Sequence, residues 1–232
     1  DMLYYFPALI PRQTGNDMVA QEFMTPTGYP RHLDLRHAPP APGGDAIVNW
    51  FRAVDPTLGR VLVEPTVVGE RLAAHVPGLE VMGGIRERNL THAHANLFRR
   101  YPDGNAPRAE LERYLERYAV RWVVLRSDRR PPPAYEQLLR IHTTLRDGVI
   151  AEVLKPSTHV KLGRGRVRAS MNRIEVSGSD PSKPVVLRYH WLDTLVCEPD
   201  CRVSVEPEPE DPIGFVRVAA PHPARFVIRN AY

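Results

Sequence analysis

Proline divides this chain more sharply than any other residue. The 24 prolines among 232 residues gather in clusters: Pro39, Pro40 and Pro42, then Pro131, Pro132 and Pro133, then Pro207, Pro209 and Pro212. A proline lacks a backbone donor and fixes its own φ, so each cluster closes one element and stiffens the connector to the next. Regular structure has to fit between them. Residues 1–44 leave little room for it, because Pro26, Pro30 and the pair Gly43-Gly44 interrupt every stretch. That spacing predicts an extended lead-in that lays Tyr4, Tyr5 and Phe6 on the body of the protein.

Residues 45–156 have the rhythm of an α/β unit. Asp45 stands where it can cap a helix whose Ile47, Val48, Phe51 and Val54 share one face. Strands are expected at 60–64, 79–82, 120–125 and 149–154, with helices at 69–76, 110–118 and 133–141. The clearest helix is 110–118, where Leu111, Tyr114, Leu115 and Tyr118 form a stripe and the charges lie opposite. Strands alternating with helices predict a small, largely parallel, Rossmann-like sheet.

After Lys155-Pro156 the period changes. Short β runs follow at 160–162, 166–171, 173–177, 185–191, 202–206, 215–219 and 225–230, with turn residues between them and no helical period. This pattern predicts a compact antiparallel β-sandwich. The expected organisation is therefore a lead-in over 1–44, an α/β domain over 45–156 and a β-sandwich domain over 157–232.

Composition excludes several classes. Apolar residues make up 43% and charged residues 25% of the chain, as in ordinary globular proteins. The net charge of +4 is dispersed, with arginines beside acids as in Glu110-Leu-Glu-Arg and Glu116-Arg117. The densest basic stretch, 161–168, interleaves its cations with glycine and reads as a solvated turn. No nucleic-acid partner is expected, since that needs a concentrated basic stripe. No apolar run approaches the ~20 residues that span a membrane. The opening Asp1-Met-Leu-Tyr-Tyr has neither a basic n-region nor an h-region, and it reads as the start of a piece excised from a longer polypeptide. Cys197 and Cys201 are separated by Glu-Pro-Asp. The spacing suits a small disulfide loop in an oxidising compartment, with free thiols as the alternative; it is neither a C-x-x-C redox motif nor a four-ligand zinc site.

Chemistry-bearing residues are sparse. His92 and His94 would share a face if their segment were a strand, but no third ligand stands near them in sequence, and no metal site is expected. With Asn96, and with Asp128 just beyond the strand at 120–125, they outline a cleft at the strand ends, where α/β proteins place ligands. Gly83-Gly84 lacks the spacing of a dinucleotide fingerprint. Neither a P-loop nor a G-x-S-x-G element occurs, and no cofactor is expected. The string from Glu206 to Asp211 reads as a solvated, extended loop. Tyr189, His190 and Trp191 close a β run, and a flat exposed ring there would stack on the apolar face of a pyranose.

In Gly59-Arg-Val-Leu-Val-Glu64, Leu115-Glu-Arg-Tyr-Ala-Val-Arg-Trp-Val-Val-Leu125, Val185-Val-Leu-Arg-Tyr-His-Trp191, Gly214-Phe-Val-Arg-Val218 and Phe226-Val-Ile-Arg229, the chain resembles the C-terminal extracytoplasmic regions of bacterial multi-spanning GT-C-like glycosyltransferases. Their relatives include YfhO-type membrane proteins and those described as 6-pyruvoyl-tetrahydropterin synthase-related. The resemblance implies a small α/β unit followed by a β-sandwich, on the extracytoplasmic face of a bacterial membrane and attached to a membrane-embedded remainder of the same polypeptide. It implies a lid, scaffold or acceptor-recognition role beside a site that uses polyprenyl-linked sugar, with cell-envelope glycan as partner. The catalytic acid of such enzymes lies upstream, so no residue here inherits that role. One departure stands out: Trp191 is followed by Leu192-Asp193-Thr194 and the cysteine pair rather than by a small-residue turn. The rival expectations are a soluble, hydrolase-like α/β enzyme with a β accessory domain, and a pure protein-docking domain.

Overall fold

A computed structural model of the protein describes residues 43–84, 95–170 and 172–231. The expected lead-in, apart from Gly43 and Gly44, falls outside these residues, as do His92 and His94. The described chain is mostly β, with thirteen strands in three sheets and few helices.

The first half begins with α1 (Asp45–Phe51), which buries Ile47, Val48 and Phe51. Asp45 does not cap it. Gly44 occupies the cap position, Asp45 pairs with Arg71, and the freed Ala46 N–H donates to Asp147 Oδ2 at 2.9 Å, a residue 101 positions away. Then come β1 (Arg60–Val63), α2 (Thr66–His75), β2 (Val81–Gly83), α3 (Leu97–Arg100), α4 (Arg108–Arg117), β3 (Val120–Leu125), β4 (Leu139–Leu145) and β5 (Gly148–Val153). Their sheet has the order β2-β1-β3-β5-β4. The first three strands are parallel, and β5 and β4 run antiparallel to their neighbours.

Every residue of β1 is buried, as expected of a parallel strand covered on both faces. Alternation sorts its side chains. Val61 and Val63 join Ile47, Phe51 and Leu72 under α1 and α2, whereas Leu62 joins Leu111, Tyr114 and Leu115 under α4.

The helix expected over 133–141 is absent. Pro133–Tyr135 is a single 3-10 turn, and Leu139–Leu145 is the edge strand β4. Ile141, Thr143 and Thr144 are β-branched, and β4 gains a hairpin partner through the two-residue turn Arg146-Asp147. The sheet is consequently mixed rather than largely parallel.

The second half contains two four-stranded antiparallel sheets. One has the order β10-β13-β8-β7 and the other β11-β12-β9-β6. The strands are β6 (Val160–Leu162), β7 (Arg166–Ser170), β8 (Arg173–Ser177), β9 (Val185–His190), β10 (Leu195–Glu198), β11 (Val203–Glu208), β12 (Asp211–Val218) and β13 (Arg225–Asn230). Strand β10, which carries Cys197, was not expected from the sequence. The expected solvated loop at 206–211 is instead the β11–β12 hairpin.

Val176, Leu187, Val216, Phe226 and Ile228 form a core shared by both sheets. Strand β9 is buried at all six positions because it has two coverings. Val185, Leu187 and Tyr189 enter the core of the second half, while Val186 packs into the core of the first half with Phe215 of β12. Burial of apolar side chains of this size contributes ~1.5–3 kcal/mol each. The two halves therefore share a seam.

Candidate functional site

Among the described residues, most of the buried charged groups gather on that seam, at the N-terminal edge of the parallel strands. Arg60 opens β1 with 4% exposure, and Glu80 precedes β2 with 5%. Arg60 Nε donates to Glu80 Oε2 at 2.7 Å, Nη1 to the Tyr118 carbonyl at 2.8 Å and Nη2 to the Arg188 carbonyl at 2.8 Å. One guanidinium thus ties β1, the residue before β2, the end of α4 and β9 together. The Tyr189 hydroxyl donates to Glu80, and the Arg60 guanidinium sits 4.7 Å from the Tyr189 ring centroid.

His159 also stacks on Tyr189, with centroids 5.7 Å apart, and its Nε2 is 3.8 Å from Glu80 Oε1. Its Nδ1 has no hydrogen-bond partner among the described residues. Burial lowers the His159 pKa and outweighs the Glu80 charge, which acts the other way; Arg60 and Arg188 lower it further. The imidazole is neutral. Burial by itself would raise the Glu80 pKa, but the Arg60 charge and the hydrogen bonds from Arg60 and the Tyr189 hydroxyl hold it below the ordinary value.

A second cluster lies on the same seam. Asp211, at 4% exposure, accepts from the Tyr118 hydroxyl at 2.7 Å, and His190 Nε2 lies 2.5 Å from the same oxygen. Its other oxygen accepts from the backbone N–H of Ile213 at 2.9 Å, an Asx turn that opens β12. Burial opposes ionisation of Asp211, yet His190, Tyr118 and the Ile213 amide drive its pKa well below the ordinary carboxylate range. Burial and the Asp211 charge push Tyr118 far above the ordinary phenol range. Beside it Arg117 pairs with Glu210, and Arg113 Nε reaches Glu210 Oε1 at 2.9 Å. The acids of the β11–β12 hairpin thus hold α4 to the second half.

The cleft outlined by Asn96 and Asp128 lies at the opposite, C-terminal edge of the parallel strands. Asp128 is exposed and forms a local pair with Arg126 at 2.8 Å. Glu64, following β1, binds Arg129 at 3.0 Å and accepts from the Arg126 N–H at 2.9 Å. Asn96 is buried, and its Oδ1 lacks a partner among the described residues. A cavity of ≈ 50 Å³ opens on this side, lined by Leu62, Leu125, Arg129 and Tyr135 among others. That is far below the ~300–1,000 Å³ of small-molecule sites.

Gly83-Gly84 has a packing role. Both have positive φ, +69° and +60°, and a Cβ on Gly69 of α2 would sit 2.2 Å from the Gly84 carbonyl oxygen. The glycines let α2 touch the exit of β2.

The three residues considered for sugar contact do not act alike. Tyr189 and His190 are 1% and 3% exposed and face neighbours inside the seam, so neither offers a ring to solvent. Trp191 is half-buried against the core of the second half. Cys197 and Cys201 form a disulfide. Among the described residues no three His, Cys, Asp or Glu side chains gather as metal ligands, and no helix is long and apolar enough to cross a membrane.

Sequence reasoning gave Arg60, Glu80, His159 and Arg188 no place in a buried network and put Asp211 in a solvated loop. A signal for them exists in the charged residues set into apolar strand segments, at Arg60-Val-Leu-Val, Leu79-Glu-Val and Val-Leu-Arg188-Tyr. Charged side chains are almost never fully buried unless paired. Comparison with known protein families, curated proteins and solved structures finds no match to this chain.

Proposed function

We propose that this chain is a rigid, non-catalytic extracytoplasmic module of a larger membrane glycosyltransferase-like protein, where it scaffolds the parent or assists recognition of its glycan acceptor. The observation that carries the reading is the seam. Its buried groups are engaged with one another across the two halves, Arg60 with the Arg188 carbonyl, Tyr189 with Glu80 and Tyr118 with Asp211. Groups fixed in this way orient one half on the other and are withdrawn from solvent. A platform that presents a surface beside another domain's site needs that rigidity.

The Cys197–Cys201 disulfide supports an oxidising compartment. The parent's identity rests on the resemblance of the strand opening the first half, the α4–β3 segment and the closing β strands. The finer reading of the fold, a Rossmann-like unit followed by a β-sandwich, belongs to the same proposal. Of the candidate sugar contacts, Trp191 remains the one with surface to offer.

The complete reading frame around this segment tests the proposal. Several hydrophobic spans of ~20 residues are expected in it, and a frame without them overturns the membrane assignment. Titration with cell-envelope oligosaccharides, followed by Trp191 fluorescence, tests acceptor recognition. A saturable change supports it, and no change at millimolar ligand removes it.

A further inference from the structure

At the rim of the seam, α4 faces β6, β9 and the β11–β12 hairpin across a cleft of ≈ 190 Å³. Four cations meet there: Arg113 and Arg117 from α4, Lys161 from β6 and Arg188 from β9. Three of them have close carboxylates. Arg113 is 2.9 Å from Glu210, Arg117 pairs with the same group, and Lys161 is 2.5 Å from Glu208.

Arg188 differs. Its side chain is only 8% exposed, yet its nearest carboxylate oxygen, on Glu116, is 3.8 Å away, and the Glu116 side chain is 69% exposed. Nη1 donates to the carbonyls of Thr158 and Val160 at 3.1 and 3.0 Å, and Nε has no partner among the described residues. A buried cation without a close counter-charge is costly, because desolvation is not offset. Arg60 on the same seam shows the usual solution, a carboxylate at 2.7 Å. Around the cleft four cations face three carboxylates, Glu116, Glu208 and Glu210, with Arg113 and Arg117 sharing Glu210, so the cleft carries one surplus positive charge and Arg188 has only the distant Glu116.

We propose that this cleft is a binding site for a phosphate group, held by Arg188 at its base and by Lys161 and Arg113 at its mouth. A phosphate supplies the missing counter-charge, and its oxygens match the planar donor fork of a guanidinium. The volume admits a phosphate and the atoms next to it; drug-sized ligands need ~300–1,000 Å³. The ligand is therefore inorganic phosphate or the head of a larger phosphate monoester. This assignment stands whether or not the parent handles sugars.

The test is a titration of the whole chain with inorganic phosphate at constant ionic strength, reading the Arg188 Nε–Hε resonance by NMR. A saturable shift is expected, with the Kd raised at least tenfold in both Lys161→Gln and Arg113→Gln. Those side chains are 34% and 55% exposed, so the fold should tolerate the changes, and an unchanged Tm verifies this. Glu116→Gln, which removes a competing carboxylate, should tighten binding. The same series with a hexose 1-phosphate separates the two sources: tighter binding than inorganic phosphate identifies a monoester head, and equal binding identifies the free anion. No saturable shift, an equal response to chloride, or Kd values unmoved by the variants would each overturn the proposal.

Discussion

The two ends of the parallel strands have opposite characters. At the C-terminal ends, where open α/β sheets commonly bind ligands, Glu64 pairs with Arg129 and Asp128 with its near neighbour Arg126, beside a cavity of only ≈ 50 Å³. At the N-terminal ends, Arg60, Glu80 and Tyr118 are buried and meet Arg188, Tyr189, His190 and Asp211 of the second half. The C-terminal edge therefore mixes the exposed Arg126–Asp128 pair with the shielded Glu64 and Asn96, whereas the charges named at the N-terminal edge are all buried. Desolvation decides the difference, because charges in contact with water tolerate imperfect partners while buried charges demand close ones.

The contrast can be broken most directly at Glu80. Glu80→Gln keeps the shape but leaves the Arg60 guanidinium buried without its counter-ion, and a loss of roughly 3–5 kcal/mol is expected in chemical denaturation. Conversion of the pair to Met and Leu should not recover all of it, since the Tyr118 and Arg188 carbonyls would also lose their donor. A loss below about 1 kcal/mol for Glu80→Gln would mean the pair behaves like a surface pair and the seam is wet.

Gly69→Ala comes next. The added Cβ meets backbone at Gly84 rather than a yielding side chain, so α2 has to move, at a cost of about 1–3 kcal/mol. An unchanged Tm would show that α2 is not held against the exit of β2.

Acidification sharpens the comparison through His159. Folding depresses its pKa below the ordinary 6.5. As pH falls through 6.5 the unfolded chain takes up a proton that the folded chain does not. Stability is thus full above that value and declines below it, by at most ~1.4 kcal/mol per pH unit for one proton. His159→Gln should flatten the denaturation profile between pH 6.5 and 5. Further loss is expected below the ordinary carboxylate range, where Glu80 and Asp211, both depressed by folding, remain ionised only in the native state. A wild-type profile already flat between pH 6.5 and 5 would contradict a neutral, buried His159.

The smallest effect is expected at the exposed pair of the C-terminal edge. Asp128→Ala removes one member of a pair whose side chains are 55% and 63% exposed, and stability should stay within experimental error. A clear loss would erase the distinction between the two edges.

How much of this was legible depends on the range of the interactions involved. Strands β1, β3 and β5 and helix α4 stand out in the sequence because their apolar spacing is a local property. The helix expected at 133–141 failed because an apolar run of that length fits either period, and its hairpin partner β5 decided the matter. Tyr189 and His190 read as a surface aromatic pair because β9 looks like any half-buried strand. Nothing local announces that its second face is covered by another part of the chain. Asn96 and Asp128 both lie near the strand ends, but their environments differ, one buried and one exposed.

The sequence by itself marked several element boundaries through its turn residues, although Pro207 and Pro212 lie inside β11 and β12, and it marked the change from helices and strands to strands alone after Lys155-Pro156. These are matters of local backbone preference and periodicity. Only the tertiary structure decided which charges are buried. Arg60 and Glu80 are 20 residues apart, Arg60 and Arg188 are 128 apart, and Tyr118 and Asp211 are 93 apart. The free energy of a buried charge depends on the partners that surround it in space, and no spacing along the chain encodes that.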